Sequence, residues 1–242
     1  MDRNIAIVIP TYNEYQNILP LVTKIRILYP TISIYFVDGN SQDDTQKIIK
    51  TLAEKDRHVH LIAQDKKNGL GLAYIQAFEY ILQKSNITHV LTMDGDLSHN
   101  PTEIPQFLDT SKTYDVVIGS RIIKYKSFQP ENGIRNVMSK ALNWYINIFL
   151  NVPVQDMSSG FAFFPLHYIS PYMNHLKKTS GYIFQAHIKY ILYKQTKKIK
   201  EVPIYFNKRI AGKSKLTLSI ICEALYKTPL IKYYNRNISS RP

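Results

Sequence analysis

The sequence predicts an α/β domain with a mostly parallel central sheet flanked by helices. Through the first 120 residues, short apolar runs alternate with longer segments of helical periodicity. Runs of this kind are typical of strands that are buried on both faces, and their alternation with helices favours parallel pairing. Hydrophobic residues make up 45% of the 242-residue chain, which is enough for one substantial core.

The first half of the chain divides into strands and helices in regular order. The expected strands are Ile5–Ile9, Ile32–Val37, Val59–Ala63, His89–Met93 and Val116–Ile118. The expected helices are Glu14–Tyr29, Asp43–Lys55 and Leu70–Lys84. In open parallel sheets, ligands bind at the carboxyl ends of the strands. The loops expected at those ends, which hold most of the unusual polar residues of this half, are Pro10–Asn13, Asp38–Ser41, Gln64–Asn68 and Asp94–His99.

The second half is less regular, and we expect it to complete the same domain. Helical patterns cover Arg135–Leu150, Gly181–Lys194 and Leu216–Lys227, and Pro229 is expected to end the last helix. Two further apolar runs are expected to form strands, Phe161–Phe164 and Ile199–Ile204. We expect one domain over residues 1–215, followed by an amphipathic helix and tail over residues 216–242.

The formal net charge of +13 predicts an anionic partner. Nucleic acid, anionic lipid headgroups and phosphorylated substrates are all suitable partners. The alternative is that the positive charge belongs to a lysine-rich surface that is only solvated. The lone Cys222 cannot form an internal disulfide. The apolar run Ile5–Ile9 stops at Pro10 and is too short for a signal peptide or a membrane span.

An acidic motif follows the fourth expected strand. Asp94 and Asp96 are separated by one residue, so two carboxylates can reach the same hard divalent cation, which takes phosphate oxygens and water as its other ligands. Gly95 allows a ligand to approach the backbone, and the Ser98 hydroxyl can complete the metal shell. The same spacing occurs in ordinary turns, and its position at a strand end is what favours a metal site.

Two other loops offer groups that suit a nucleotide. Asp38 can accept a hydrogen bond from a ribose hydroxyl or a base N–H, or this loop simply caps the next helix through Ser41 or Asp43. Tyr12 can stack on a base, and Glu14 can hold a ribose or open the first helix. Farther along, a set of basic residues and one serine could clamp phosphates together: Arg121, Arg135, Arg209, Lys213, Ser214 and Lys215.

Several motifs carry a resemblance to a known family. The segment Ile7–Glu14 resembles the opening of family-2 glycosyltransferases with the GT-A fold. Asp94–Pro101 is similar, more narrowly, to dolichyl-phosphate mannose synthases. The narrower resemblance continues in order at Gly69–Tyr74, Gly119–Arg121, Asp156–Phe161, Gly181–Gln185, Glu201–Ile204 and Arg209–Leu216. It covers the chain from residue 5 to residue 216.

This resemblance implies a GT-A nucleotide-diphospho-sugar transferase fold, in which residues 1–120 bind the donor and residues 121–215 the acceptor. It implies that Asp94, Asp96 and Ser98 hold Mg²⁺ or Mn²⁺. It assigns the acceptor phosphate to Arg135 and Ser214, and catalytic contacts to Asp96 and Arg121. The residues that it implies for the nucleotide sugar are Pro10, Tyr12, Glu14, Val37, Asp38, Gly39, Asp94, Gly95, Asp96, Ser98, Arg121, Arg209 and Lys215.

The implied reaction moves a hexose, mannose from GDP-mannose, onto dolichyl or polyprenyl phosphate by metal-assisted inverting displacement. Alternatives are a polyprenyl-phosphate glucosyltransferase that uses UDP-glucose, a glycan-extending transferase, and a non-catalytic basic module that binds lipid or nucleic acid. The acidic loops argue against nucleic acid as a partner. The implied location is the cytoplasm, peripheral on the cytosolic face of a membrane (the endoplasmic reticulum in a eukaryote), with a small membrane-anchoring subunit as a further partner.

Three positions depart from the family pattern. Gly39 stands where a second acid is usual, Ala162 where an arginine is common, and His187 where an acid is common. We interpret His187 as lying near the presumed acceptor site. An ionised lipid phosphate needs no strong general base, so a histidine in place of an acid there is consistent with such an acceptor. The last helix is expected to touch a bilayer through its apolar residues or to pack on the sheet as an ordinary helix.

Overall fold

A seven-stranded sheet organises the part of the chain that the structure describes. The computed structural model describes residues 4–84, 86–123, 133–179, 181, 183–205 and 218–238. The strands are β1 (Ile5–Thr11), β2 (Ser33–Asp38), β3 (Val59–Ala63), β4 (His89–Thr92), β5 (Val116–Ser120), β6 (Ala162–Pro165) and β7 (Ile199–Pro203). Their order across the sheet is β3-β2-β1-β4-β6-β5-β7. All neighbouring pairs are parallel except those of β6, which runs antiparallel to β4 and β5.

Helices flank this sheet, which confirms the predicted α/β class. They are α1 (Tyr15–Leu28), α2 (Thr45–Lys55), α3 (Leu70–Lys84), α4 (Ile104–Thr110), α5 (Gly133–Leu150), α6 (Met173–Lys177), α7 (Phe184–Gln195) and α8 (Leu218–Tyr234). The sequence patterns missed α4 and α6, because helices of seven and five residues are too short to show a period. Short 3₁₀ turns lie at Pro101–Glu103, Leu166–Tyr168 and Ser170–Tyr172.

The core forms two layers, one on each face of the sheet. Alternate residues of β1 point to opposite faces, so Val8 packs in one layer and Ile7 in the other. The first layer joins α3 and α7 to the sheet through Tyr74, Phe78 and Ile191, among others. Both layers are continuous from β1 to β5, so the carboxyl ends of β1, β2 and β4 are fixed relative to one another.

The predicted end of the last helix at Pro229 is wrong, because α8 continues through that proline to Tyr234. Proline has no N–H to give to the carbonyl four residues earlier, which here is that of Leu225. The hydroxyl of Tyr145, on α5, donates to the Leu225 carbonyl instead, at 3.1 Å. A partner 80 residues away therefore satisfies the acceptor that the proline leaves open.

The helix α8 both packs on the domain and exposes apolar surface. Ala224, Thr228 and Ile231 are buried, whereas Leu225 and Tyr226 are exposed. The sequence also predicts that Ile231 touches a bilayer, but this side chain is turned into the domain. Within the described residues, no helix is both long enough and apolar enough to cross a bilayer.

Candidate active site

The loops at the carboxyl ends of β1, β2 and β4 meet as the sequence predicts. Thr11 and Asp38 are paired across β1 and β2. The Asp38 side chain is fully buried, and its Oδ2 accepts from the hydroxyls of Thr11 (3.0 Å) and Ser41 (2.6 Å). Its Oδ1 accepts from the Ser41 N–H (2.8 Å) and from Gln46 Nε2 (2.8 Å). Asp38 thus orders the loop after β2, and its contact with a base or ribose stays a prediction.

Tyr12, expected to stack on a base, already has a cation over its ring. The ammonium of Lys67 lies 3.6 Å from the ring centroid, within cation–π range. Gly39 lies beside the same ring, since a Cβ there would be 3.5 Å from Tyr12 Cδ2. Sequence reasoning missed Lys67, because one lysine in a basic chain carries no signal of its own.

The remaining residues expected at the nucleotide play mainly local roles in this structure. Glu14 Oε2 accepts from Asn17 Nδ2 at 2.6 Å, at the start of α1. Val37 is fully buried in β2. Pro10 lies in β1 and is half-buried. A direct contact of these three residues with a nucleotide stays a prediction.

The acidic motif after β4 is held by its own turn. Asp96 is 7% exposed, and its Oδ1 accepts from the backbone N–H (3.1 Å) and hydroxyl (2.5 Å) of Ser98. Leu97, between them, has a positive φ of 60°, a strained conformation for a branched side chain. A Cβ at Gly95 would lie 3.2 Å from Thr11 Cγ2, so this glycine lets the turn pack against β1. The turn thereby places both carboxylates at the end of the strand.

The side chain of His99 holds the main chain of Asp94 through a hydrogen bond. The Asp94 N–H donates to His99 Nδ1 at 3.0 Å, and the imidazole stacks on Phe161 with 4.9 Å between ring centroids. Burial lowers the pKa of His99 below its ordinary value, despite the nearby carboxylates. The ring is therefore neutral near pH 7 and serves as an acceptor. The sequence places His99 in the motif but gives no hint of this role.

The donor set fits Mg²⁺ or Mn²⁺. The Asp94 side chain is one-third exposed, so its carboxylate can reach a ligand in the cleft. No cluster of three or more His, Cys, Asp or Glu side chains suited to a metal occurs in the described ranges. Two carboxylates and one hydroxyl leave several coordination positions for water and phosphate oxygens, which is how Mg²⁺ is bound beside phosphorylated substrates.

Arg121 leaves β5 paired with a buried carboxylate. Its Nε and one terminal nitrogen donate to the two oxygens of Asp156, each at 2.8 Å, and its backbone N–H donates at 3.0 Å. Asp156 is fully buried, and the guanidinium of Arg121, opposing the effect of burial, holds the pKa of Asp156 far below its usual range. This bidentate pair fixes the loop before β6, and contact of Arg121 with a phosphate stays a prediction.

The loop from Asp156 to Gly160 is held from two more sides. Glu201 accepts from the backbone N–H groups of Gln155 (2.7 Å) and Asp156 (2.9 Å). The fully buried ammonium of Lys189 donates to the carbonyls of Met157 (3.0 Å), Ser159 (2.6 Å) and Gln185 (3.3 Å). Burial lowers the pKa of Lys189 to about 7, against the attraction of Asp156. Three carbonyl acceptors suit the ammonium form of this side chain.

The interpretation of His187 as a residue near the acceptor is wrong. Its side chain is fully buried, its Nδ1 bonds to the Thr179 hydroxyl, and its Nε2 accepts from Asn235 Nδ2 at 2.7 Å. Burial lowers the pKa of His187 to about 4. His187 therefore joins α7 to the C-terminal segment instead of facing a substrate.

The other basic residues expected to bind phosphates lie largely outside the part of the chain that the structure describes. Arg135 lies in α5, but its side chain is outside the described residues. The basic loop that carries Arg209, Lys213, Ser214 and Lys215 lies outside them too. Their roles at donor or acceptor phosphates stay predictions.

Comparisons with known proteins agree with this geometry. The model of the family "Glycosyl transferase family 2" matches residues 6–173, which include β1 to β6 and the acidic motif. An undecaprenyl-phosphate mannosyltransferase of Micrococcus luteus is 31% identical over 90% of this chain and 89% of its own length. A polyprenol monophosphomannose synthase of Mycolicibacterium smegmatis is 32% identical over 91% of this chain and 84% of its own length.

Solved structures support the GT-A fold. Glucosyl-3-phosphoglycerate synthase from Mycobacterium tuberculosis, in complex with Mn²⁺, UDP and glucosyl-3-phosphoglycerate, superposes with a TM-score of 0.64 at 16% identity. The match covers 96% of this chain and 80% of that one. Staphylococcus aureus TarS (residues 1–349) gives a TM-score of 0.60 at 15% identity, over 97% of this chain and 66% of that one. With the family match and the sequence relatives, these findings show that the chain belongs to glycosyl transferase family 2 and is a glycosyltransferase.

Proposed function

We propose that this chain transfers mannose from GDP-mannose to a dolichyl or polyprenyl phosphate, with Mg²⁺ or Mn²⁺. The observation that carries the proposal is the near full-length similarity to two proteins named for the mannosylation of polyprenyl phosphates. The carboxylates of Asp94 and Asp96, at the end of β4, supply the oxygen ligands that a nucleotide-sugar transferase of this kind requires.

The reaction is a displacement with inversion. An oxygen of the lipid phosphate forms a bond to the anomeric carbon while the bond from that carbon to the nucleoside diphosphate breaks, and the electron pair leaves with the diphosphate. A divalent cation held by Asp94 and Asp96, with Ser98 beside them, would offset the charge on the leaving group. The residues of the chain bind and orient the two substrates. We propose that Tyr12, and Lys67 whose ammonium lies over the Tyr12 ring, contact the nucleotide.

The acceptor explains why no strong base is required. A phosphate monoester is ionised near neutral pH, so its oxygen attacks without losing a proton first. The buried His187 is not placed to act as a base, which agrees with such an acceptor. We assign the acceptor phosphate to Arg135 and Ser214, and the donor phosphates to Arg121, Arg209 and Lys215, by family resemblance.

A lipid acceptor also places the reaction at a membrane surface. We propose peripheral binding to the cytosolic face, in a eukaryote that of the endoplasmic reticulum, with the net charge of +13 favouring anionic lipids. A small membrane-anchoring subunit is a further proposed partner, and nucleic acid is not.

The proposal is tested by a donor and acceptor screen. Purified protein with Mg²⁺ is given GDP-mannose or UDP-glucose, each with dolichyl phosphate, undecaprenyl phosphate or no acceptor. We expect a mannosyl lipid from GDP-mannose with at least one lipid phosphate. Glucosyl lipid from UDP-glucose would make the chain a glucosyltransferase instead. No transfer to either lipid, with transfer to a free glycan, would reject lipid phosphate as the acceptor.

A further inference from the structure

Two buried polar groups without hydrogen-bond partners lie beside Asp94. Among the described residues, the buried side-chain atoms that lack a partner include Tyr74 Oη and Gln185 Nε2. Tyr74 is fully buried on α3, and Gln185 is 5% exposed in the first turn of α7. A buried polar group without a partner is destabilising by about 1–3 kcal/mol, so such a pair is expected to serve a ligand or to hold water.

Gly160 lies between the Asp94 carboxylate and the Gln185 amide. A Cβ built on Gly160 would lie 3.1 Å from Asp94 Oδ1 and 3.5 Å from Gln185 Nε2. A methyl group at this position would therefore crowd the carboxylate and lie against the amide. The Thr92 hydroxyl donates to the Gly160 carbonyl at 2.8 Å and holds that glycine in place. Next to burial, the charge of Asp94 contributes to raising the pKa of Tyr74, which is consistent with a phenol facing this carboxylate.

The rings around Tyr74 fix the position of its hydroxyl. Its ring stacks on Phe184 at 5.8 Å and on Phe78 at 5.9 Å between centroids, with interplanar angles of 5° and 22°. The phenol end of this packed ring faces Gln185 on α7 and Thr92 at the end of β4, and both side chains act on the pKa of Tyr74. The hydroxyl still forms no hydrogen bond of regular geometry with either of them.

The chemistry of the three groups selects a class of ligand. The Gln185 amide and the Tyr74 hydroxyl can donate, whereas the Asp94 carboxylate can only accept. A sugar hydroxyl accepts from the first two and donates to the third. An ionised phosphate only accepts, so it could accept from the amide and the phenol but could not donate to Asp94 Oδ1.

We infer that Tyr74 and Gln185, together with Asp94, form a subsite for a hydroxyl group of the transferred hexose. The inference rests on the proposed function, since it names the part of the donor that this pocket recognises. Gly160 keeps the subsite open. Tyr74 and Gln185 then determine which sugar is transferred, because a site with buried polar groups discriminates strongly against an analogue that leaves them unpaired.

The test compares Tyr74→Phe and Gln185→Leu with wild type, using the nucleotide sugar that the screen identifies and its monodeoxy analogues. We expect both variants to lose ten- to hundred-fold in kcat/KM on the parent donor. For one deoxy analogue the difference from wild type should disappear, because the contacted hydroxyl is already missing. The Kd for the nucleoside diphosphate alone should change less than about two-fold, since it lacks the transferred hexose.

Stability separates this role from a structural one. Removing a buried hydroxyl that has no partner should leave the Tm of Tyr74→Phe unchanged or higher. The matched control is Tyr172→Phe, whose hydroxyl accepts from Gln195 Nε2 at 3.1 Å and lies outside the subsite, and which should keep wild-type kcat/KM. In Gly160→Ala, the added methyl group would crowd Asp94 Oδ1 and Gln185 Nε2 and should lower the rate of transfer.

Two results would overturn the inference. Wild-type kcat/KM of Tyr74→Phe and Gln185→Leu with every donor would show that the groups do not meet the sugar. Equal losses on all donors with a lowered Tm would show that they hold a structural water. If wild type itself transfers no sugar, the proposed function fails and the subsite with it, whereas active wild type with unaffected variants rejects the subsite alone.

Discussion

The hydroxyl of Tyr145 donates to the carbonyl of Leu225, the acceptor that Pro229 leaves without its helical partner. We expect Tyr145→Phe to lower the free energy of unfolding by about 1 kcal/mol, the usual size of one hydrogen bond. Urea unfolding followed by circular dichroism measures this change. Tyr226→Phe is the control, because that ring is 71% exposed. Equal stability of both variants would mean that the proline is tolerated without the Tyr145 contact.

This contact shows where the sequence alone reaches its limit. Apolar runs and the polar loops after them predict the strands and the acidic motif, because both signals are local. Whether α8 continues through Pro229 depends on Tyr145 in another helix. Likewise, the role of His187 depends on Asn235, after the end of α8. Such long-range partners leave no mark in a local pattern, and the sequence predicts both residues wrongly.

The buried pair of Arg121 and Asp156 should be a main determinant of stability. Asp156→Asn removes the buried carboxylate that pairs with Arg121 and attracts Lys189, so we expect the free energy of unfolding to fall by about 3–5 kcal/mol. The control is Asp109→Asn, because Asp109 pairs with Lys112 on the surface, with both side chains more than three-quarters exposed. That variant should lose at most about 0.5 kcal/mol. Similar losses in chemical denaturation would contradict a structural role for Asp156.

Because the buried ring of His187 is neutral, we expect the protein to lose stability in acid. The Asn235 amide donates to its Nε2, which is possible only for the neutral ring. Because the folded-state pKa is about 4 and the ordinary value is 6.5, the unfolded chain takes up this proton first as the pH falls. Stability should therefore be lost between pH 6.5 and pH 4, with a slope of up to about 1.4 kcal/mol per pH unit.

The variant that isolates this effect is His187→Gln. The pKa values of His60 and His99 are lowered by burial as well, and they add to the slope in both proteins. We expect a shallower slope for His187→Gln than for wild type in unfolding measured from pH 7 to pH 5. His175 is a second histidine of this cluster, and its Nδ1 lies 3.1 Å from Asn235 Oδ1. Identical slopes would show that His187 is not responsible.

Apolar side chains on α5 and α8 should bind a membrane. Trp144 is 67% and Ile148 60% exposed on α5, and Tyr226 and Tyr233 are exposed on α8, which packs beside it. We expect Trp144→Ser with Ile148→Ser to reduce co-flotation with anionic liposomes several-fold, and high salt to reduce it further. Ile27→Ser is the control, since Ile27 is 75% exposed on α1, which packs with the other core layer. Equal flotation of all three proteins would assign membrane binding elsewhere.

The central claim, transfer of a hexose to a lipid phosphate that depends on Asp94 and Asp96, is tested most directly by mass spectrometry of the lipid product. Wild type is incubated with GDP-mannose and polyprenyl phosphate, in Mg²⁺ or in excess chelator, beside Asp96→Ala. We predict mannosylated polyprenyl phosphate only from wild type with Mg²⁺, and we predict that product formation recovers when Mg²⁺ is restored. For Asp96→Ala we predict a rate lower by several orders of magnitude, since lost charge stabilisation removes several kcal/mol. Full turnover in chelator, or wild-type product from Asp96→Ala, would contradict the account.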